Sequence, residues 1–149
     1  MKTSSKGVDL ICSFEGFRAK AYPDPATGGE PWTIGYGHTS AAGGLQVKKG
    51  LVITEQQARE ILAMDLLKFE AAVAKGLKRI PSQNRFDAMV SLCFNIGPGN
   101  FAKSSVLRCF NTGEFRAAAD AFMRWDKAAG KVMAGLTRRR KAEADLFRA

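Results

Sequence analysis

The chain has 149 residues, of which 46% are apolar and 25% are charged, so it has the composition of one globular domain and not of a disordered or fibrous protein. No apolar run reaches the roughly 20 residues that a membrane-spanning helix needs, and the first residues lack the features of a secretory signal. The net charge of +9 points to an anionic partner, such as nucleic acid, a membrane surface or an acidic cell-wall polymer.

The first predicted element is a short helix over residues 3–14. Val8, Ile11 and Cys12 recur at helical spacing and mark one apolar face. Gly16 follows as a candidate C-terminal cap, because glycine readily adopts the left-handed conformation that ends many helices.

The pattern changes between residues 17 and 51, where β-forming residues alternate with glycines. Tyr22, Trp32, Thr33 and Tyr36 are residue types that favour strands, whereas the glycines between them favour turns. This segment predicts a small sheet of short strands.

A long amphipathic helix is predicted over residues 54–79. Thr54 and Gln57 form a capping box at its start, and Pro81 stops it. Because it follows the predicted sheet and precedes the remaining helices, this element is expected to join two parts of the fold.

The remainder of the chain is predicted to be helical. Ser82 can cap a second helix, which the stretch NIGPGN then ends, and three more helical segments follow at residues 103–111, 114–128 and 136–148. The predicted fold class is therefore α+β. A single domain would comprise a β lobe at about 17–51 and a larger helical lobe formed by 1–16 and 52–149.

The three cysteines are odd in number and lack a CxxC spacing. Cys12, Cys93 and Cys109 are therefore interpreted as buried thiols and not as a disulfide framework or a metal site. The chain also has a single histidine and no cluster of acidic ligands, so no metal and no cofactor are expected.

Two carboxylates near the N-terminus have contrasting surroundings. Glu15 lies where the first helix should end, between Phe14 and Phe17, and both the helix dipole and the apolar rings favour a protonated carboxyl there. Asp24 lies between two prolines in a polar turn, where a carboxylate stays ionised. Such a pair suggests the division of labour of a glycoside hydrolase, although either residue alone is also explained as a helix-end or turn residue.

Two further residues in the β segment are candidates. Thr33 suits a strand, and its hydroxyl could orient a water for attack on a sugar. His38 more often satisfies a structural hydrogen bond than acts as a catalyst when no cysteine or serine partner is evident.

The motifs in this order resemble a known family. "FEGFRAKAYPD", "WTIGYGHT", "FNIGPGNF", "SSVLRCFNTGEFRAAADAFMRW" and "GLTRRRKAEADLF" are similar to the phage-type lysozymes of glycoside hydrolase family 24, across nearly the whole chain. The resemblance implies a lysozyme-like fold, with a β lobe and a helical lobe that close around a groove for peptidoglycan.

The resemblance also implies roles for individual residues. Glu15, Asp24 and Thr33 match the catalytic triad, with Glu15 as the general acid. The interval between Asp24 and Thr33 is three residues longer than in the best-known members and introduces Glu30. Asp24 is preferred as the second carboxylate, and an exchange of roles with Glu30 stays open.

Supporting and substrate-binding residues follow from the same resemblance. His38 would support the acid, which an arginine from the last helix would approach, with Arg138, Arg139 and Arg140 as candidates. Asn95 and Phe101 would lie near the substrate groove, although packing explains Phe101 equally well.

The expected function is hydrolysis of the bond between N-acetylmuramic acid and N-acetylglucosamine by a phage endolysin. A lytic transglycosylase acting on the same polymer is the alternative, and a basic nucleic-acid-binding protein is disfavoured because no RNA- or DNA-binding signature accompanies the basic run. We expect a monomer, made in the host cytoplasm, that acts on the wall in the periplasm after holin-type release.

Overall fold

A computed structural model describes all 149 residues and contains seven α-helices and five short strands. The predicted α+β class is confirmed. The helices are α1 (Ser5–Glu15), α2 (Glu55–Gly76), α3 (Gln83–Ile96), α4 (Pro98–Ala102), α5 (Ser105–Asn111), α6 (Phe115–Ala121) and α7 (Ala134–Arg148). The strands are β1 (Arg18–Tyr22), β2 (Thr33–Gly35), β3 (His38–Thr39), β4 (Lys127–Ala128) and β5 (Lys131–Val132).

The chain separates into two compact units. The sheet unit is formed by Ile11–Leu67, and the helical unit is formed by Met1–Leu10 together with Lys68–Ala149. Both α1 and α2 run from one unit into the other, so each unit takes part of its structure from these two helices.

The sheet unit contains an antiparallel sheet in the order β1-β2-β3. Arg18 pairs with Gly35 at one end of β1, and Tyr22 pairs with Thr33 at the other. Gly35 has a φ of +65°, and a Cβ at this position would lie 3.2 Å from the Cβ of Ala58 on α2. Glycine is therefore required here both by the backbone conformation and by the close approach of the sheet to the helix.

Paired hydrogen bonds fix the start of α1 in the helical unit. The backbone nitrogen and the hydroxyl of Thr3 each donate to Glu70 Oε2 at 2.7 Å. Ser4 donates in the same way to Asp87, from its nitrogen to Oδ1 at 3.0 Å and from its hydroxyl to Oδ2. Because Asp87 is completely buried, these bonds satisfy a carboxylate that would otherwise be costly inside the core.

The capping box of α2 is confirmed. The backbone nitrogen of Thr54 donates to Gln57 Oε1 at 2.8 Å, and that of Gln57 donates to Thr54 Oγ1 at 3.1 Å. The helix ends three residues earlier than predicted. Asn111 accounts for this, because its amide donates to the Gly76 carbonyl at 3.0 Å and accepts from the Lys78 nitrogen at 2.8 Å.

In the second half of the chain one prediction was wrong and one short helix was missed. The stretch NIGPGN ends α3 at Ile96, as predicted, but Pro98 also begins the short helix α4, where its missing N–H is not needed. The helix predicted over residues 114–128 ends earlier, becomes a 3-10 turn at Phe122–Trp125 and leads into the β4–β5 hairpin.

None of the three cysteines forms a disulfide, as predicted, and Cys93 and Cys109 are buried. Cys12 on α1 is only partly buried, so the prediction of a buried thiol was wrong for this residue. None of the helices combines the length and apolar character required to cross a bilayer.

Candidate active site

Glu15 is the last residue of α1. Gly16 follows with a φ of +74°, and its nitrogen donates to the Cys12 carbonyl at 3.0 Å, so the predicted glycine cap is confirmed. The Glu15 carboxyl is half-buried, and a Cβ added at Gly37 would lie 4.0 Å from its Oε2. The carboxyl therefore lies beside the turn that connects β2 to β3.

Asp24 begins a closed loop immediately after β1. Its Oδ1 accepts a hydrogen bond from the Ala26 nitrogen at 2.7 Å, and its carbonyl accepts from the Gly28 nitrogen at 2.8 Å. The first of these bonds fixes the half-buried carboxyl through Oδ1, and the second closes the backbone of the loop.

Glu30 belongs to the same loop as Asp24. It is exposed, and its carbonyl accepts a hydrogen bond from the Thr27 hydroxyl at 2.7 Å. The choice between Asp24 and Glu30 as the second carboxylate stays a prediction, and the more constrained geometry of Asp24 favours it.

Thr33 is the first residue of the central strand β2. It pairs with Tyr22 on β1 and with Thr39 on β3, so its backbone is fixed on both sides. Since Asp24 follows Tyr22 by two residues, Asp24 and Thr33 lie at the same end of the sheet. Glu15 precedes β1 and Asp24 follows it, so this strand separates the two acidic residues along the chain.

His38 is buried on β3 and uses both ring nitrogens. Nδ1 lies 2.7 Å from Asp65 Oδ2, and Nε2 lies 2.8 Å from the Leu45 carbonyl oxygen. A carbonyl oxygen can only accept, so Nε2 carries a proton and donates. Neither nitrogen is left for a direct hydrogen bond to Glu15, and any support of the acid by His38 must be indirect.

A buried ion-pair cluster connects α3 and α7 in the helical unit. Arg140 Nε lies 2.8 Å from Glu143 Oε1, and Arg139 Nε donates to Glu143 Oε2 at 3.3 Å. Ser91 on α3 donates its hydroxyl to the same Oε2. Burial raises the pKa of the Glu143 carboxyl and lowers the pKa of the Arg140 guanidinium, and their mutual attraction opposes both shifts.

The three candidate arginines of α7 have different surroundings. Arg138 is exposed, whereas Arg139 and Arg140 are buried and paired with Glu143. Which of them approaches the acid stays a prediction.

The two predicted substrate-binding residues also differ. Asn95 is exposed at the end of α3, and its Oδ1 accepts from Arg140 Nη2 at 2.8 Å. Phe101 is only 1% exposed, which favours the packing role that the sequence had left open.

Sequence reasoning missed Asp65 and Glu143. Neither residue was a candidate in the sequence analysis. An acidic residue at a position that the helical period turns inward would have been the signal for each, because a buried carboxylate requires a partner.

The chain matches known proteins along nearly its whole length. The phage lysozyme family model matches residues 12–143. The endolysin of Salmonella phage P22 is 45% identical over 148 residues, which cover 99% of this chain and 98% of that protein. The endolysin of Bacillus phage B103 is 42% identical over 147 residues, which cover 99% of this chain but 54% of that protein. The chain thus spans about half the length of the Bacillus phage endolysins that it matches.

Two solved structures have the same fold. A variant of P22 lysozyme superposes with a TM-score of 0.90 at 41% identity and covers 100% of this chain and 99% of that chain. The muramidase domain of SpmX from Asticaccaulis excentricus superposes with a TM-score of 0.87 at 41% identity, covering 99% and 98%. The lysozyme-like fold expected from the sequence is confirmed, and the chain belongs to the phage lysozyme family.

Proposed function

We propose that the chain is a muramidase, which hydrolyses the bond between N-acetylmuramic acid and N-acetylglucosamine in peptidoglycan during lysis of a bacterial host by a phage. The observation that carries the proposal is the position of three residues relative to the strand β1. Glu15 ends the helix before β1, Asp24 begins the loop after it, and Thr33 begins the strand paired with it.

Each side chain has a role in a two-carboxylate mechanism. Glu15, half-buried at a helix C-terminus, donates a proton to the glycosidic oxygen as the bond breaks. Asp24 faces the positive charge that develops at the anomeric carbon, where an ionised carboxylate stabilises it. Thr33, fixed at the same end of the sheet as Asp24, orients the attacking water.

The names of similar proteins agree with this proposal. The P22 and B103 relatives are endolysins, and the SpmX neighbour is a muramidase domain. The net charge of +9 suits a polymer that carries carboxylates on its muramic acid and peptide portions. We infer that the chain reaches this polymer in the periplasm after holin-type release and acts as a monomer.

The buried arginines argue against a nucleic-acid-binding role. Arg139 and Arg140 belong to the basic run that suggested such a role, but both are buried and paired with Glu143. A surface that binds the phosphates of nucleic acid needs accessible positive charges. Because two of its arginines are buried, this basic run contributes fewer accessible charges than its sequence suggests.

The proposal is tested with Glu15→Gln, which has nearly the same shape but no proton to donate. We expect a loss of wall hydrolysis on the order of a hundredfold or more, with an unchanged circular dichroism spectrum. The assay is the clearing of purified peptidoglycan. Glu60→Gln, an exposed change in the same unit, is the matched control and should hydrolyse the wall like the parent.

Mass analysis of the products separates hydrolysis from transglycosylation. A hydrolase leaves reducing ends, whereas a lytic transglycosylase leaves anhydro sugars. Full activity in Glu15→Gln would refute the assignment of the acid, and anhydro products would replace hydrolysis with the alternative reaction.

A further inference from the structure

Ile80 is the most exposed large apolar residue of the chain. Its side chain is 92% exposed, on the turn between α2 and α3 in the helical unit. A single exposed apolar side chain is common on protein surfaces. Ile80, however, lines a groove of about 370 Å³ to which Met1, Ala74, Leu77 and Pro81 also contribute. It therefore belongs to a continuous apolar surface.

The turn that carries Ile80 is fixed on both sides. Before it, the backbone nitrogen of Lys78 donates to Asn111 Oδ1 at 2.8 Å. After it, Pro81 is buried and Ser82 caps α3 through its side chain. Because these contacts hold the backbone, Ile80 cannot turn inward to bury its side chain without breaking them.

Basic residues surround this apolar surface. Lys78 and Arg79 line the groove itself. Lys78 also lines a neighbouring cavity of about 820 Å³ in the same unit, together with Lys75, Lys103 and Arg108. All five of these basic residues are exposed, and no acidic residue lines the groove or the cavity. The groove and the five basic residues are called the Ile80 surface below.

The combination of positive charge and apolar area restricts the partner that fits the Ile80 surface. A second copy of the chain would bring the same positive charges against these, and like charges repel. A nucleic acid would supply phosphates but no apolar layer for Ile80 to enter. A bilayer with anionic lipids supplies both, because its phosphate headgroups lie above an apolar interior.

We propose that the Ile80 surface docks on a bilayer that contains anionic phospholipids. Ile80 enters the headgroup region, and the five basic residues face the lipid phosphates. The docking uses no residue of the candidate active site. It therefore goes beyond the proposed function and does not depend on it.

Sedimentation with lipid vesicles tests the proposal. The parent chain is mixed with vesicles of phosphatidylglycerol and phosphatidylcholine, and separately with vesicles of phosphatidylcholine alone. We expect binding to the anionic vesicles and not to the neutral ones. Added salt should weaken the binding, because salt screens the attraction between the basic residues and the lipid phosphates.

Ile80→Thr tests the apolar part of the surface. Threonine keeps the branched Cβ but has less apolar surface, so we expect the affinity for anionic vesicles to fall about fivefold. Val52→Thr is the matched control, because Val52 is 63% exposed but belongs to the sheet unit. It should bind the vesicles like the parent, and circular dichroism checks that both variants fold.

Lys78→Gln tests the charged part. A basic residue near an anionic lipid surface contributes a factor of about five to the affinity, so the loss should be of this size. Lys48→Gln, which removes the charge of an exposed lysine in the sheet unit, is the control and should bind like the parent.

The outcomes separate lipid docking from simple adsorption of a basic protein. Binding that prefers anionic vesicles and is weakened by Ile80→Thr and by Lys78→Gln, but by neither control, supports the proposal. No binding to anionic vesicles would overturn it. So would vesicle binding that Ile80→Thr leaves unchanged, or that Val52→Thr and Lys48→Gln weaken equally. Binding of a short DNA duplex in place of the vesicles would assign the basic residues to a nucleic acid.

Discussion

The Nδ1 atom of His38 lies 2.7 Å from Oδ2 of Asp65, and this pair joins β3 to α2 within the sheet unit. His38 is 3% exposed and the Asp65 side chain 11%, so the pair is largely removed from water. With Nε2 held by the Leu45 carbonyl, the ring is fixed on both sides. The geometry therefore gives His38 a structural role in the sheet unit, and a role in catalysis stays a prediction.

Removal of Asp65 should strongly destabilise the fold. Asp65→Ala leaves a buried ring nitrogen without its partner, and we expect the free energy of unfolding to fall by about 3 kcal/mol, the lower end for a broken buried pair. Urea unfolding measures the loss. In a His38→Asn background the same change should cost much less, because the partner is already absent, and equal losses in both backgrounds would contradict the coupling.

The second carboxylate is identified by comparing Asp24→Asn with Glu30→Gln. Asparagine keeps an oxygen to accept from the Ala26 nitrogen, so the loop should be retained while the negative charge is lost. We expect Asp24→Asn to lose wall hydrolysis by on the order of a hundredfold and Glu30→Gln to retain it. The opposite result would assign the role to Glu30, and circular dichroism checks that both variants fold.

Local sequence signals predicted much of this architecture. The capping box of Thr54 and Gln57 and the glycine after Glu15 each act within a few residues, so their outcome depends little on the rest of the chain. Glu15, Asp24 and Thr33 became candidates from their residue types and local surroundings, and their catalytic roles, which stay predictions, came from the resemblance to phage-type lysozymes.

Long-range pairing could not be read from the sequence. Asp65 and His38 are 27 residues apart, and Ser91 and Glu143 are 52 residues apart, so no local pattern connects them. The β4–β5 hairpin was missed for a different reason. Its turn residues are Ala129 and Gly130, and alanine is typical of a helix, not of a tight turn.

The same turn offers a stabilising substitution. Ala129 has a φ of +50° and Gly130 a φ of +80°, so both turn residues are left-handed, a conformation that costs alanine roughly 1–2 kcal/mol. Asparagine tolerates it better, and Ala129→Asn should raise the melting temperature by about 2–4 °C for each kcal/mol recovered. Ala128→Asn, the same change in the adjacent strand β4, should give no increase, and a lower melting temperature for Ala129→Asn would refute the argument.

The last prediction concerns stability in alkali and follows from Tyr36. This side chain is 7% exposed, and burial raises the pKa of its hydroxyl above the ordinary value of 10.0, with smaller contributions from Cys12 and Glu55 that Arg59 partly opposes. Above pH 10 the unfolded chain therefore loses the tyrosine proton while the folded chain still holds it. Because the folded state then binds more protons, the free energy of unfolding must fall as the pH rises through this range.

Tyr36→Phe has no proton to lose, so it should lose less stability than the parent between about pH 9 and pH 11, although it starts lower because its hydrogen bond with Cys12 is gone. Urea unfolding at constant ionic strength measures both slopes, and Tyr22→Phe is the matched control, since Tyr22 is more exposed. A parent and a Tyr36→Phe variant that decline in parallel would show that the buried hydroxyl does not cause the alkaline loss of stability.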